Sequence, residues 1–265
     1  MAIVEPRGFC GEVALVAHAV RTAAGSFGYS TVRSTFGADG SAAATLLGLA
    51  RRTSIDAVAV IAASCTDRFD YARVADKVPV VVVGGAGCEV VPVVATDDRA
   101  AASRVTEHLL EDGAANVWHI AGPEASFEAR EREGGWRGAL ERHRAPAAPV
   151  LRGDWTVRSG YVLGQVLARE SGLDAIFVAN DNMALGVLRA LIEAGLRVPR
   201  DVRLAGFGDL PDAEYYSASL TTVRQDHRGL GNLAIEVLEG IRGTLELPWR
   251  HTIPAKLVIR ESSKR

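Results

Sequence analysis

The stretch from Asp174 to Asp209, DAIFVANDNMALGVLRALIEAGLRVPRDVRLAGFGD, constrains the fold more than any other part of the chain. Ala175 to Ala179 is a short apolar run, the pattern of a parallel strand covered on both faces. Asp181 stands at a helix start, where a carboxylate can accept otherwise unpaired N–H groups. Met183, Leu185, Val187, Leu188, Leu191 and Ile192 then recur at helical spacing. Gly195 closes the helix, and Pro199 prevents its resumption before a second strand, Val202 to Phe207. Asn180 therefore falls at the carboxyl end of a strand, where open α/β sheets bind ligands.

The rest of the chain repeats this alternation. Strands are expected at Ile3-Val4, Ser30 to Ser34, Ile55 to Ile61, Val78 to Val83 and Val93 to Thr96. Helices are expected over Val13 to Phe27, Ser41 to Arg51, Tyr71 to Ala75 and Ala100 to Leu110. A second block opens near Ala114, with strands at Val117 to Ile120 and Pro149 to Arg152, and helices over Ala125 to Arg142 and Val157 to Glu170. Leu220 to Arg224 and Ala255 to Ile259 read as strands, and Gly229 to Gly240 as a helix between them. Two Rossmann-like α/β blocks with parallel sheets follow from this order.

At 265 residues the chain has room for two lobes with their own cores. Its net charge of −2 gives no basic footprint for nucleic acid. Cys10, Cys65 and Cys88 are far apart and odd in number, so they read as reduced core or loop residues. The start, MAIVEPRGF, has neither the basic nor the apolar region of a signal peptide, and no apolar run is long enough to span a bilayer. A cytoplasmic protein with no membrane partner is expected.

Several segments, in order, resemble the effector-binding region of LacI-type (LacI/GalR family) transcriptional regulators. They are ATDDRAAASRVTEHLLEDGAANVWHIAGP, AREREGGWRGAL, RGDW, the 174–209 segment, SLTTVRQD and LVIRES. The resemblance implies a periplasmic-binding-protein-like fold of two Rossmann-like lobes joined by three crossovers. It implies a division into residues 1–111 plus 226–251 for the N-terminal lobe and 112–225 plus 252–265 for the C-terminal lobe. It implies a ligand-responsive transcription regulator, a repressor, acting as a homodimer on operator DNA. Such regulators carry a helix-turn-helix head before this region. No such head precedes Met1 in this sequence; a truncated chain that reaches DNA only through the missing domain is expected, with a naturally headless homologue as the alternative.

Six residues are candidates for the small-molecule effector, most naturally a carbohydrate. Arg132, in the pattern R-x-x-G with Gly135, matches a family arginine that grips effector oxygens; a planar fork of donors suits paired oxygens. The plainer alternative is a helix-face ion pair with its acidic neighbours. Trp155 follows a strand and precedes a helix, where its face could stack on a sugar ring or simply pack in the core. Asn180 offers both donor and acceptor. Asn180 or Asp181 caps the helix while the other faces the ligand, and Asn180 is favoured for the ligand. Asp97 and Asp98 end a strand before a helix, and Asp97 is carried as a candidate although either could be a cap. Gln225 matches a family position near the lobe hinge. Phe9, like Glu5, is a candidate by its place after the first strand. The usual family aspartate is Gly208 here, and His227 stands where an aromatic residue is frequent.

No catalytic, metal or cofactor site is expected. VVVVGGAG, from Val80 to Gly87, lacks G-x-G-x-x-G spacing and an obvious following helix. The six histidines are scattered, and no nucleophile elbow or phosphate-binding loop is present. The alternative that shares the fold is a periplasmic-type sugar-binding protein of a transport system.

Overall fold

A computed structural model describes residues 1–6, 12–36, 48–49, 51, 55–61, 71–87, 90–243 and 248–264. The candidate Phe9, the three cysteines and most of the helix expected over Ser41 to Arg51 lie outside the described residues. The chain forms two compact units, Met1–Thr96 with Asp226–Ile253, and Asp97–Gln225 with Pro254–Arg265.

The first unit is a six-stranded parallel sheet. Its strands are β1 (Ala2–Pro6), β2 (Val32–Phe36), β3 (Val58–Ile61), β4 (Val80–Val83), β5 (Val93–Thr96) and β11 (Arg250–Ile253), ordered β11-β5-β4-β3-β1-β2. Apolar residues fill both faces because successive side chains alternate across a strand. Ile3, Ala59, Val81 and Val94 pack with α1 (Glu12–Ser26) and α7 (His227–Arg242). Val4, Val58, Val80 and Val93 pack on the other face with Val74 of the short helix α2 (Ala72–Ala75). Each buried valine or isoleucine among these contributes about 1.5–3 kcal/mol.

β11 was not foreseen. Its Arg-His-Thr-Ile sequence is polar because it is an edge strand with alternately exposed residues. β2 also runs two residues later than the expected Ser30–Ser34.

The second unit holds a parallel sheet ordered β7-β6-β8-β9, made of β6 (Val117–Ala121), β7 (Leu151–Arg152), β8 (Ala175–Val178) and β9 (Arg203–Ala205). One face is covered by α3 (Asp98–Glu111) and α4 (Phe127–His143), through Ala101, Val105, Leu109, Trp136 and Leu140. The other carries α5 (Val157–Leu167) and α6 (Asp181–Glu193), through Leu167, Met183, Val187 and Leu191. These two helices meet backbone to backbone. A side chain on Gly160 would collide with the main chain of Met183, and one on Gly186 with that of Val157. A two-stranded antiparallel ribbon, β10 (Thr222–Arg224) with β12 (Lys256–Val258), completes the unit.

The division differs from the expected lobes. The first unit ends at Thr96, and α3 joins the second, whereas the expected boundary followed residue 111. The reason is packing: the apolar stripe of α3 is part of the cluster that contains Trp136 and Phe177. Residues 252–253 likewise stay with the first unit, because β11 pairs with β5.

One buried histidine sets a pH dependence. His119 of β6 is fully buried, with its ring 4.8 Å from Phe177 and 5.4 Å from Trp136, stacked on both. Burial pushes its pKa down to about 4, and Nδ1 lies 2.9 Å from the Phe177 carbonyl. The fold holds it neutral while the unfolded chain protonates near 6.5. Stability present above pH 6.5 is therefore lost as pH falls toward 4, by about 3 kcal/mol at 1.36 kcal/mol per pH unit. His119→Phe keeps the ring stack and removes the titration. Urea denaturation at pH 7 and pH 4.5 should show the wild type losing more stability between the two than the variant; equal losses contradict the assignment.

Candidate functional site

The carboxyl edge of the second sheet gathers several chain ends, and Arg132 occupies their centre. This side chain comes from the second turn of α4, whose first turn is capped by Ser126 accepting from the Ala129 N–H at 3.3 Å. Arg132 is 1% exposed. Nε and Nη2 both reach Asp98 Oδ2 at 3.1 Å, and Nη1 donates to the Ala179 carbonyl at 2.7 Å. The guanidinium carbon lies 3.8 Å from the centre of the Phe207 ring and 5.7 Å from that of Trp155. The flat cation thus stacks on Phe207 while its edge donates to charged and neutral oxygens.

Trp155 is held in an unusual backbone conformation, φ +72°. Asp154 fixes it from one side by accepting from the Thr156 N–H at 3.0 Å. Thr156 in turn caps α5, accepting from the Ser159 N–H at 3.1 Å. The indole lies over Gly122, where any side chain would overlap the ring. Asn180 fixes Trp155 from the other side, with Nδ2 donating to its carbonyl at 3.1 Å.

Asn180 and Asp181 divide their roles in a definite way. Asn180 is the cap of α6, its Oδ1 accepting from the Met183 N–H at 2.9 Å. The expectation that one of the pair caps while Asn180 meets ligand is therefore corrected in part: Asn180 caps, and it is also half-buried beside Trp155. Asp181 does not serve its own helix. Fully buried, it accepts from Thr222 Oγ1 at 2.6 Å and from the Leu210 N–H at 2.8 Å, so it joins β10 to the loop after β9.

Of the other candidates, Asp97 is the cap of α3, accepting from the Ala100 N–H at 3.0 Å, which is the plainer of its two expected roles. Gln225 is buried at the end of β10. Glu5 lies in the first unit, buried and paired with Arg33 of the edge strand β2. The structure thus brings Arg132, Trp155 and Asn180 together. Reading the sequence did not single out Asp98, Phe207 or Asp209 as their companions. Asp98 was visible only as one of two acidic residues at a helix start. Phe207 was visible only as the last apolar residue of a strand.

Asp209 takes φ +50° and is clamped by two arginines. Oδ1 accepts from Arg260 Nη2 at 2.7 Å, and Oδ2 from Arg224 Nε. Its neighbour Gly208 has φ +125° and donates its N–H to the Val223 carbonyl at 2.8 Å. Among the described residues no group of three or more His, Cys, Asp or Glu side chains could hold a metal ion, and no helix is long and apolar enough to cross a membrane.

Residues 106–263 match the periplasmic binding protein-like domain. The chain belongs to this family. It is similar to the lactose operon repressor of Klebsiella pneumoniae, 36% identical over 168 residues, covering 63% of this chain and 48% of that protein. It is also similar to the ribose operon repressor of Halalkalibacterium halodurans, 29% identical over 253 residues, 94% of this chain and 75% of the other. Among solved structures, the complex of the transcriptional regulator CelR with cellobiose superposes with a TM-score of 0.86 at 29% identity. That match covers 98% of this chain and 84% of the other. The chain spans about half the length of the lactose operon repressor it matches. Its relatives are LacI-type regulators, and the chain is a periplasmic-binding-protein-like domain of that type.

The buried Asp181 gives this edge a pH signature of its own. Desolvation raises its pKa to about 6, against donors from Thr222 and Leu210 that favour the ionised form. A carboxyl with a raised folded pKa contributes stability that is fully present below the ordinary 3.8 and is lost as pH rises through about 6. The difference corresponds to about 3 kcal/mol. Asp181→Asn keeps an acceptor for Leu210 and places a donor toward Thr222, without the charge. Denaturant titrations should find this variant more stable than wild type at pH 7.5, with the advantage shrinking by pH 4.5. A variant less stable at both pH values contradicts the argument.

Proposed function

We propose that this chain is the effector-binding and dimerisation domain of a ligand-responsive, LacI-type transcription regulator that represses its target operon. The effector is a small polar molecule, most naturally a carbohydrate, and it meets Arg132, Trp155 and Asn180, with Gln225 as a further contact. The observation that carries this reading is the assembly of a buried guanidinium, a strained tryptophan and a half-buried amide at one sheet edge. Such a combination gives a sugar ring an apolar face to stack on and polar groups to orient its hydroxyls.

The relatives support regulation over transport, since the curated matches are operon repressors. The similarity to a cellobiose complex supports a sugar. Two copies associate, and operator DNA is reached through a helix-turn-helix domain of the whole regulator in the cytoplasm. Effector binding shifts the populations of conformations that differ in affinity for it, and by linkage the affinity for DNA. No bond is made or broken. Asp98, Asp181 and Asp209 support a non-catalytic reading, because each is occupied by arginine, hydroxyl or backbone donors rather than arranged as an acid–base pair.

A thermal-shift panel of cellobiose, lactose, ribose and purine nucleosides tests this reading. A sugar present at a hundred times its Kd should stabilise the domain by about 2.7 kcal/mol. Trp155→Ala and Arg132→Lys should each abolish or sharply reduce the shift. Arg132→Ala is a poorer probe, because stripping one partner from a buried pair costs about 3–5 kcal/mol of stability. A panel with no sugar response, or a response that survives both variants, defeats the proposal.

A further inference from the structure

Proteins hold anions with cationic side chains or with the N–H groups that open a helix. At the candidate edge the protein's own oxygens occupy these roles. Four helices of the second unit open there, and each has a side-chain cap: Asp97 for α3, Ser126 for α4, Thr156 for α5 and Asn180 for α6. Three of them also carry an acid in the first turn, Asp98, Glu128 and Asp181, which answers the positive end of the helix. The loops that follow β6, β7 and β9 add Glu124, Asp154, Asp209 and Asp212, with no Lys, Arg or His among them.

The arginines beside the edge bond protein oxygens as well. Arg99 donates to Glu131 at 3.1 and 3.0 Å, and Arg130 to the carbonyls of Glu124 and Ala125 at 2.8 and 3.1 Å. Arg224 and Arg260 hold Asp209. Arg132 gives Nε and Nη2 to Asp98 and Nη1 to the Ala179 carbonyl.

We infer that Asp98 is a specificity-determining residue: by answering the charge of Arg132 from within the protein, it makes this edge select an uncharged polyol and reject the matching sugar acid or sugar phosphate. The inference rests on the effector reading above and narrows it. A buried guanidinium without a carboxylate beside it would draw a ligand anion by paired donors. Here the two side chains are 2% and 7% exposed, so the pair is neutral as a unit and water screens it little. A hydroxyl both donates and accepts, so a polyol suits the carboxylate and the guanidinium alike. An ionised ligand carboxylate can only accept, and it reaches Arg132 only by lying beside Asp98. Like charges repel strongly where water is excluded, which discriminates against the anion without any change in shape. Asp154 and Asp181, next in sequence to Trp155 and Asn180, add charge of the same sign.

Matched ligand pairs test the inference by calorimetric titration near neutral pH: glucose against glucuronate and glucose 6-phosphate, galactose against galacturonate, and ribose against ribose 5-phosphate. Whichever neutral sugar binds the wild type, its anionic counterpart should bind at least about tenfold more weakly. Asp98→Asn removes the answering charge and should close or invert that gap. Inorganic phosphate, without effect on the wild type, should stabilise this variant against heat. Should that variant fold poorly, Asp154→Asn, a change at an exposed position that keeps an acceptor for the Thr156 N–H, should narrow the gap in the same direction. An anionic member that binds the wild type as tightly as its neutral counterpart, or a gap that neither variant narrows, overturns the inference and leaves the effector reading standing. A panel with no response from any member defeats the effector reading, and the inference falls with it.

Discussion

A guanidinium keeps its proton at any pH a folded protein meets, so burying one obliges the surroundings to answer its charge. Arg132 is answered by one oxygen of Asp98 at the start of α3, the Ala179 carbonyl at the end of β8, and the face of Phe207 after β9. One side chain of α4 thereby fixes the ends of three other segments. Magnitude separates this pair from the ion pairs of the surface. Arg189 and Glu193, with side chains 67% and 39% exposed, interact through water and contribute little. Removing one member of the Arg132–Asp98 pair leaves a charge stranded at a few percent exposure, at a cost several times larger. Trp155, φ +72°, holds its conformation because Asp154, Asn180 and the bare backbone of Gly122 determine it from three sides.

The same unit contains two buried titrating groups that oppose each other. His119 makes the fold less stable as the medium acidifies below pH 6.5, and Asp181 makes it more stable below about pH 6. Their contributions are of similar size, so between pH 4 and 6 the wild-type profile conceals both. The cause is the same in each case, since burial disfavours the charged form. The sign differs because the histidine is charged when protonated and the carboxyl when deprotonated. A flat stability profile in acid is therefore compatible with a core that holds two strongly perturbed groups.

Much of the fold was legible because its strands are short, apolar and buried on both faces. The segment from Ala175 to Phe207 announced strand, helix and strand, and the structure places β8, α6 and β9 there. The strand β11 was not legible, since an edge strand need not be apolar and its pairing with β5 spans more than 150 positions. The unit boundary was misplaced because α3 follows a strand of one unit in sequence but packs with the other. At the site, composition and spacing could nominate Arg132, Trp155 and Asn180 but not their partners. Asp98 and Asp97 are equivalent in one dimension; only the helix geometry makes the first the arginine's partner and the second the cap. For the same reason the cap of α6 is Asn180 and not Asp181, whose carboxylate bonds Thr222 and Leu210 instead. The residue at the cap position must bend its side chain back onto its own helix, which frees the next one to bond elsewhere.

The Gly208–Asp209 pair limits what the candidate site can offer a ligand. Both residues have positive φ, and this double turn lets the Gly208 N–H reach the Val223 carbonyl while Asp209 faces Arg224 and Arg260. LacI-type regulators carry an aspartate where this chain has Gly208, and its carboxylate would be a natural acceptor for sugar hydroxyls. There is room for a side chain, since a Cβ at 208 would meet only Asp181 Oδ2, at 3.7 Å. The backbone is the obstacle. At φ +125° a residue other than glycine is strained by about 1–3 kcal/mol. Relieving that strain would rotate the turn and disturb the clamp on Asp209. Restoring the aspartate therefore does not simply restore an acceptor. In the proposed reading, a glycine at 208 keeps the clamp of Arg224 and Arg260 on Asp209 intact and leaves effector hydroxyls to be met by groups already fixed on the edge, chiefly Asn180 and Arg132.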